Sequence, residues 1–241
     1  MPSAAIKIFS MAILSLLILS GCMFPESERA ENQVPYENQL ASVQQAVEQY
    51  REDNGVLPIQ NRDENIPEYQ KYVVDFRKMM PRYLQEPPGN SFESGGPFQY
   101  VIIDPEEEAE VKVIDLRVMN EIQAFEREIQ AYIKKNEYAP IKEAVGPNVY
   151  KIDMERLDYH REAKVESPYF NTTLPLLINQ NGKVLIDYSI DLNIALREHE
   201  HNFEPGDNIM PVLTDNYPIV PAFSVPYTID NNNEPEFLET D

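Results

Sequence analysis

The chain has little cysteine, glycine or tryptophan: one cysteine, eight glycines and no tryptophan among 241 residues. Because Cys22 is the single thiol, no internal disulfide can stabilise the fold, and stability must come from the hydrophobic core. Glycine-rich phosphate loops are absent, and Gly95-Gly96 is a lone doublet. The composition therefore excludes a disulfide scaffold and gives no nucleotide-binding signature.

Basic residues are also scarce. Lys and Arg number 20 against 41 Asp and Glu, which gives a formal net charge of −21. A surface that binds nucleic acid needs clustered basic side chains, so nucleic acid is excluded as a partner. The same charge excludes docking of the folded body on anionic lipid headgroups. An acidic, solubilising surface is the interpretation that remains.

The common catalytic signatures are missing. The sequence contains no Gly-x-Ser-x-Gly, no His-Glu-x-x-His and no Ser-x-x-Lys motif. Carboxylate pairs are too frequent in so acidic a chain to indicate glycoside hydrolysis. We therefore predict no catalytic residue and no cofactor, and a protein that is not an enzyme.

Two sequences have a weak likeness to metal sites. His199 and His201 lie two residues apart, a spacing that shares a face on a strand but points about 200° apart on a helix. Since a helix is expected there, these two histidines are weak candidates and no metal site is predicted. Asp230–Glu234 resembles a calcium loop, but Pro235 stands where the sharp turn needs glycine.

The N-terminus has the pattern of a secretion signal. Lys7 precedes the apolar run Ile8–Leu19, which is shorter than the roughly 20 residues of a membrane-spanning helix. The run ends in Leu19-Ser20-Gly21-Cys22, which resembles the lipobox of bacterial lipoproteins. A cysteine inside an ordinary cleavable signal is the alternative.

The lipobox resemblance implies transfer of diacylglycerol to the Cys22 sulfur and removal of residues 1–21. The acyl chains would anchor the protein in the cell membrane, facing outside the cytoplasm. Residues 22–36 are polar and lack helical apolar spacing, so they are expected to form a flexible tether that spans roughly 20 Å.

The remaining chain shows self-similarity that predicts two tandem related modules, 37–118 and 119–191. Each begins with a long helix whose apolar residues follow helical spacing, and a Pro-Ile pair comes after it. Six positions recur at one constant spacing along the chain: Leu40 and Ile122, Val43 and Phe125, Val47 and Ile129, Tyr50 and Tyr132, Pro58 and Pro140, Ile59 and Ile141. Chance amphipathicity is the alternative explanation.

Each predicted helix is followed by a predicted hairpin. Phe98–Ile103 and Val111–Leu116 are the strands of the first, and Leu174–Ile178 and Val184–Ser189 are those of the second. A further helix is predicted over Pro67–Met80. The fold class is therefore α+β, with each long helix packed on a small antiparallel sheet. Residues 192–228 are expected to form a proline-rich cover, and 229–241 a disordered acidic tail.

Two resemblances add to this interpretation. Tyr50, Asn54-Gly55 and Pro58 at the end of the first helix resemble the globular heads of type IV pilins and type II pseudopilins. That likeness covers about Gln39–Val118 and implies a helix on an antiparallel sheet; the lipobox replaces the pilin assembly helix. The whole chain, with lipobox and acidic duplicated body, is similar to an uncharacterised lipoprotein family of Bacillus-like bacteria.

Three functions are compatible with the sequence. The first is a membrane-anchored, non-enzymatic interaction or accessory protein at the cell surface, whose partners are the lipid bilayer, through Cys22, and an unknown protein. The alternative is a solute-binding lipoprotein of a transporter, which usually has crossover-connected strands and glycine-bearing ligand loops. A hydrolase of wall polymers has the least support.

Overall fold

The computed structural model describes residues 36–60, 66–157 and 162–239. The predicted signal, Cys22 and the predicted tether up to residue 35 lie outside this part of the chain, and Tyr36 belongs to the first helix. Among the described helices, none combines the length and the hydrophobicity that crossing a membrane requires.

The described chain is an α+β protein, as predicted, whose strand pairs are all antiparallel. The helices are α1 Tyr36–Asn54, α2 Glu68–Lys71, α3 Phe76–Met79, α4 Met119–Asn136, α5 Ser189–Glu198 and α6 Pro211–Thr214. The strands are β1 Phe98–Ile103, β2 Glu110–Asp115, β3 Ile141–Gly146, β4 Val149–Ile152, β5 Lys164–Glu166, β6 Thr173–Ile178, β7 Val184–Ile186, β8 Tyr227–Ile229 and β9 Pro235–Phe237.

In the first half, α1 packs against the β1–β2 hairpin and buries Val43 and Val47. The helix predicted over 67–80 is wrong. Its ends form the short helices α2 and α3, but Val73 bridges to Val101 of β1 and Val74 bridges to Ile59. Two adjacent β-branched residues favour this extended backbone, and the neighbouring strand supplies hydrogen-bond partners that outweigh the helical pattern.

In the second half, β3, β4, β6 and β7 lie in that order in one sheet, and β5 pairs with the start of β6. α4 buries Ile122, Phe125 and Ile129. The β6–β7 turn packs against this helix at Gly182, where φ is +72° and an added Cβ would lie 2.5 Å from Ile133 Cδ1. This turn therefore requires glycine both for its backbone angle and for its close approach to α4.

The same pairing scheme occurs in both halves. Four extended segments after each long helix pair in chain order, each antiparallel to the next of the four; in the second half these are β3, β4, β6 and β7, and β5 lies between β4 and β6 in the chain. Corresponding pairs are Ile59↔Val74 and Ile141↔Ile152, Val73↔Val101 and Lys151↔Leu177, and Ile102↔Val111 and Ile178↔Val184. The first two segments are single bridges in the first half and full strands in the second.

The ends of the two long helices also match. The side-chain Nδ2 groups of Asn54 and Asn136 each donate to the backbone carbonyl of the residue four positions earlier, over 2.8 and 2.9 Å. The next residues, Gly55 and Glu137, are left-handed, with φ of +71° and +67°. Both helices therefore end by the same backbone motif, although only the first has glycine at the left-handed position.

α5 and α6 belong to the core of the second half. Leu192 of α5 and Leu213 of α6 are fully buried in the cluster that contains Ile122 of α4. α5 crosses the boundary predicted between residues 191 and 192. Residues 192–228 were predicted to form a cover, but part of this segment therefore belongs to the core of the second half.

A linking segment, Pro218 to Phe223, connects the two sheets. Val113 of β2 donates its N–H to Pro218 O over 3.0 Å and accepts from Val220 N at 2.9 Å. Ile186 of β7 donates its N–H to Phe223 O over 2.7 Å. The segment thus lies along the last strand of each sheet, so the predicted cover contributes backbone pairing to both halves.

The tail differs from its prediction. β9 pairs with β8, and the Phe237 ring lies 4.6 Å from that of Tyr227, centroid to centroid. Asp230 organises the intervening turn, because its carboxylate accepts from the backbone N–H groups of Asn232 and Glu234 at 2.8 and 2.9 Å. Residues 230–234 therefore form a hairpin turn in the described part of the tail, where their Asn-rich composition had suggested disorder.

Candidate docking groove and aromatic cluster

A groove of about 350 Å³ lies between the start of α1, the start of β2 and the chain entering the linking segment. Leu40 and Ala41 provide apolar surface from α1, and Pro218 lies across from them. Three carboxylates also line the groove: Glu37, Glu110 and Asp215. The groove therefore combines apolar walls with a negative rim.

Among the described residues, Lys112 is the one basic side chain in the lining of this groove. It is only 5% exposed, and its Nζ lies 2.6 Å from Glu110 Oε1. Burial raises the pKa of Asp215, and the Lys112 ammonium partly offsets that rise. Since Lys112 is paired within the groove, the excess carboxylates favour a cationic group from outside.

Gln44 occupies the edge of β2 at the bottom of the groove. Its Nε2 donates to Ala109 O over 3.0 Å, and its Oε1 accepts from Val111 N at 2.7 Å. A side-chain amide that donates and accepts in this way substitutes for the backbone of a neighbouring strand. Farther along β2, Val113 makes the corresponding bonds with the linking segment.

In the second half, a different side chain bonds to the corresponding strand edge. Glu126 of α4 accepts from Val184 N of β7 at 3.3 Å. Glu126 and Gln44 take the same place in the repeated scheme, as do Val184 and Val111. A carboxylate accepts but does not donate, so Gln44 reproduces a strand edge more completely than Glu126 does.

An aromatic cluster adjoins the groove through Tyr217. The rings of Tyr169 and Phe170 lie 5.4 and 5.6 Å from that of Tyr217, and His199 lies 5.6 Å from it on another side. The Tyr169 hydroxyl donates to Ile219 O over 3.1 Å. The cluster thus joins the loop after β5, the end of α5 and the linking segment.

Asp191 positions the loop that carries two of these rings. It is fully buried, and it accepts from Ser167 Oγ at 2.8 Å and from Thr172 Oγ1 at 3.2 Å. Ser167 Oγ in turn accepts from the backbone N–H groups of Tyr169 and Phe170. Burial raises the pKa of Asp191 to about 6, although the two hydroxyl donors favour its ionised form.

His199 and His201, the weak metal candidates, contact different groups. The helix expected at these two histidines is wrong, because α5 ends at Glu198 and His199 is extended. Its Nε2 lies 3.1 Å from the Tyr217 hydroxyl. His201 stacks on Phe203, and its Nε2 lies 3.4 Å from Asn233 Nδ2. In the described residues no group of three or more His, Cys, Asp or Glu side chains could hold a metal ion.

The sequence did not reveal the groove or the role of Asp191. An Asp in the first turn of a helix usually indicates a solvated charge near the positive end of the helix dipole. Gln44 was not recognised either, although the constant spacing that pairs Val43 with Phe125 also pairs Gln44 with Glu126. The roles of Gln44, Glu126 and Asp191 can be identified only when the three-dimensional positions of β2, β7 and the loop after β5 are known.

The fold and the groove define an α+β protein with a candidate docking surface rather than a recognised catalytic centre. The model of the YphF family N-terminal domain matches residues 36–115, which extend from α1 to the end of β2. That domain family is uncharacterised. Neither a curated protein nor a solved structure matches the chain.

Proposed function

We propose that this chain is a lipid-anchored extracytoplasmic protein that acts by binding another protein at the cell surface. The observation that carries the proposal is Lys7, the apolar run Ile8–Leu19 and the sequence Leu19-Ser20-Gly21-Cys22. This order of charge, short apolar run, small residues and cysteine is what lipidation and cleavage require.

The groove supports the binding part of the proposal. Its apolar walls, negative rim and neighbouring aromatic cluster are the mixture of surface that protein interfaces use. Aromatic side chains supply much contact area at little entropic cost.

Binding of a small solute for a transporter is the second candidate. The groove volume, about 350 Å³, falls in the range of small-molecule sites, about 300–1,000 Å³. A thermal-shift screen of residues 24–241 against sugars, amino acids and short peptides separates the two. A stabilisation by one sugar or amino acid that Leu40→Glu abolishes would favour the solute-binding protein.

The anchor is tested by metabolic labelling with an alkyne analogue of palmitate. We expect the wild-type protein to incorporate the label and to sediment with membranes. Cys22→Ala should lose the label and keep residues 1–21, because the acylated sulfur is required before cleavage. Ser20→Ala, which retains a small residue, is the matched control and should be labelled normally. Equal labelling of Cys22→Ala would exclude the assignment.

A further inference from the structure

We propose that the groove binds an extended segment of a partner protein, in which a Lys or Arg stands close to an apolar residue. The segment pairs with the edge of β2 at Ala109 and Val111, in the place that Gln44 occupies. This inference rests on the proposed function and specifies the chemistry of the partner.

The edge of β2 already accepts one extended segment. The linking segment runs parallel to β2 and pairs with Val113, while Ala109 and Val111, earlier on the same edge, are bonded to Gln44. An added strand offers a backbone carbonyl and N–H in place of the Gln44 amide. The exchange leaves no buried donor or acceptor without a partner, so its hydrogen-bond cost is small.

The rim of the groove selects the charge of the segment. Glu37, Glu110 and Asp215 line it, and Lys112 pairs with Glu110. An incoming ammonium or guanidinium would relieve the repulsion among these carboxylates, and the acidic chain would accelerate its approach. Leu40 and Ala41 then provide the surface for a neighbouring apolar side chain.

In the second half, the position that corresponds to Leu40 is covered by other residues of the chain. Ile122 of α4, which corresponds to Leu40, is 3% exposed in a cluster with residues of α5 and α6. Leu40 is only partly buried and lines the groove. Described residues of the chain thus cover the apolar position on α4, whereas those around α1 leave the corresponding position partly exposed.

The test is a selection of phage-displayed random peptides on the mature protein, followed by titration of synthetic copies of the enriched peptides. We expect enrichment of Lys or Arg beside an apolar residue. Glu37→Lys combined with Asp215→Lys should weaken binding at least about tenfold. Glu106→Lys combined with Glu107→Lys makes the same change of charge on the exposed β1–β2 turn and should change affinity little.

Backbone pairing is tested with Gln44→Ala. Removing the competing amide should tighten peptide binding by a few-fold, and N-methylation of alternate peptide bonds should abolish it in one register. Glu126→Ala, at the corresponding position of the second half, should leave the affinity unchanged. The inference is overturned if no enriched peptide depends on Glu37 and Asp215, or if Gln44→Ala does not tighten binding.

A separate measurement distinguishes this failure from failure of the proposed function. A photo-crosslinking residue is placed at Ala41, in the groove, and at the exposed Ile190 in intact cells. Protein crosslinks from Ile190 with none from Ala41 would preserve a protein-binding function and exclude the groove. Groove-dependent peptide binding by a protein that is not lipidated would preserve the docking site and exclude the anchor.

Discussion

Asp191 illustrates how one buried side chain can hold a surface in place. Its carboxylate binds the hydroxyl groups of Ser167 and Thr172, which lie at the two ends of the loop that carries Tyr169 and Phe170. Removal from water raises the pKa of Asp191 to about 6, against an ordinary value of 3.8. The loop is therefore held by a group that costs stability when it is ionised.

The stability of the protein should depend on pH through Asp191. In the folded state its pKa is raised, so stability falls as the pH rises from about 4 to about 6 and then levels off. The loss is at most roughly 3 kcal/mol for a shift of this size. Asp191→Asn should lack this component, as measured by urea unfolding at a series of pH values.

Glu200→Gln is the control for the Asp191 variant. Glu200 is an exposed carboxylate, so its replacement should leave the pH profile of the wild type unchanged. If Asp191→Asn shows the same fall between pH 4 and pH 6 as the wild type, the dependence comes from other groups and the role given to Asp191 is wrong.

At the scale of elements, the long helices and two hairpins follow from the sequence, and the other strands do not. Helical spacing identified the buried residues Val43, Val47 and Ile129, and apolar runs separated by turn sequences identified the β1–β2 and β6–β7 hairpins. The spacing within 67–80 was misleading because pairing with β1 decides the conformation of Val73. β3 was missed, since its residues are largely exposed and give no apolar pattern.

That the two halves are related modules stays a prediction, and several structural features are in keeping with it. The common pairing scheme, the Asn-capped helix ends and the shared positions of Gln44 and Glu126 are independent features that agree in register. The pilin-like resemblance of residues 39–118 stays a prediction. In the shared pairing scheme, the groove beside α1 corresponds to a covered surface on α4.

Both long helices should be equally sensitive to a buried charge. Val47 is 1% exposed and Ile129 is fully buried, each facing the sheet of its own half. Val47→Asp and Ile129→Asp should each lower the free energy of unfolding by several kcal/mol, because an unpaired carboxylate would enter a core. Chemical denaturation measures the loss.

Glu48→Asp and Glu128→Asp place an aspartate on the exposed faces of the same helices and should cost less than about 1 kcal/mol. A Val47→Asp or Ile129→Asp variant as stable as these controls would show that its helix does not cover a core.

For the whole molecule, the linking segment is the feature that sequence patterns could not supply. Ile219 is buried in the core of the first half, although it follows α4, α5 and α6 of the second half in the chain. Ile219 pairs with Val113 and accepts a hydrogen bond from the Tyr169 hydroxyl. Both contacts depend on the relative position of two separate sheets. The groove depends on the same arrangement, so neither could be predicted from local periodicity.

The first half should be less stable alone than in the complete chain. A fragment of residues 36–118 lacks the linking segment, so the N–H and C=O of Val113 lose their partners and Ile219 leaves the core. We expect faster hydrogen exchange in β2 and a lower urea midpoint than for residues 36–239. A fragment with the same midpoint and the same exchange in β2 would show that the linking segment adds nothing.

The position of the linking segment also sets an order of events during synthesis. The ribosome makes β2 before it makes α4 to α6, and the residues that pair with Val113 are made only after these helices. The first half is therefore synthesised first, but its sheet is completed only when the linking segment has been made. Pairing between residues so far apart in the chain is also slow to form. During that interval the edge of β2 is open along Val113, and any chaperone that recognises extended edges would find the nascent chain there.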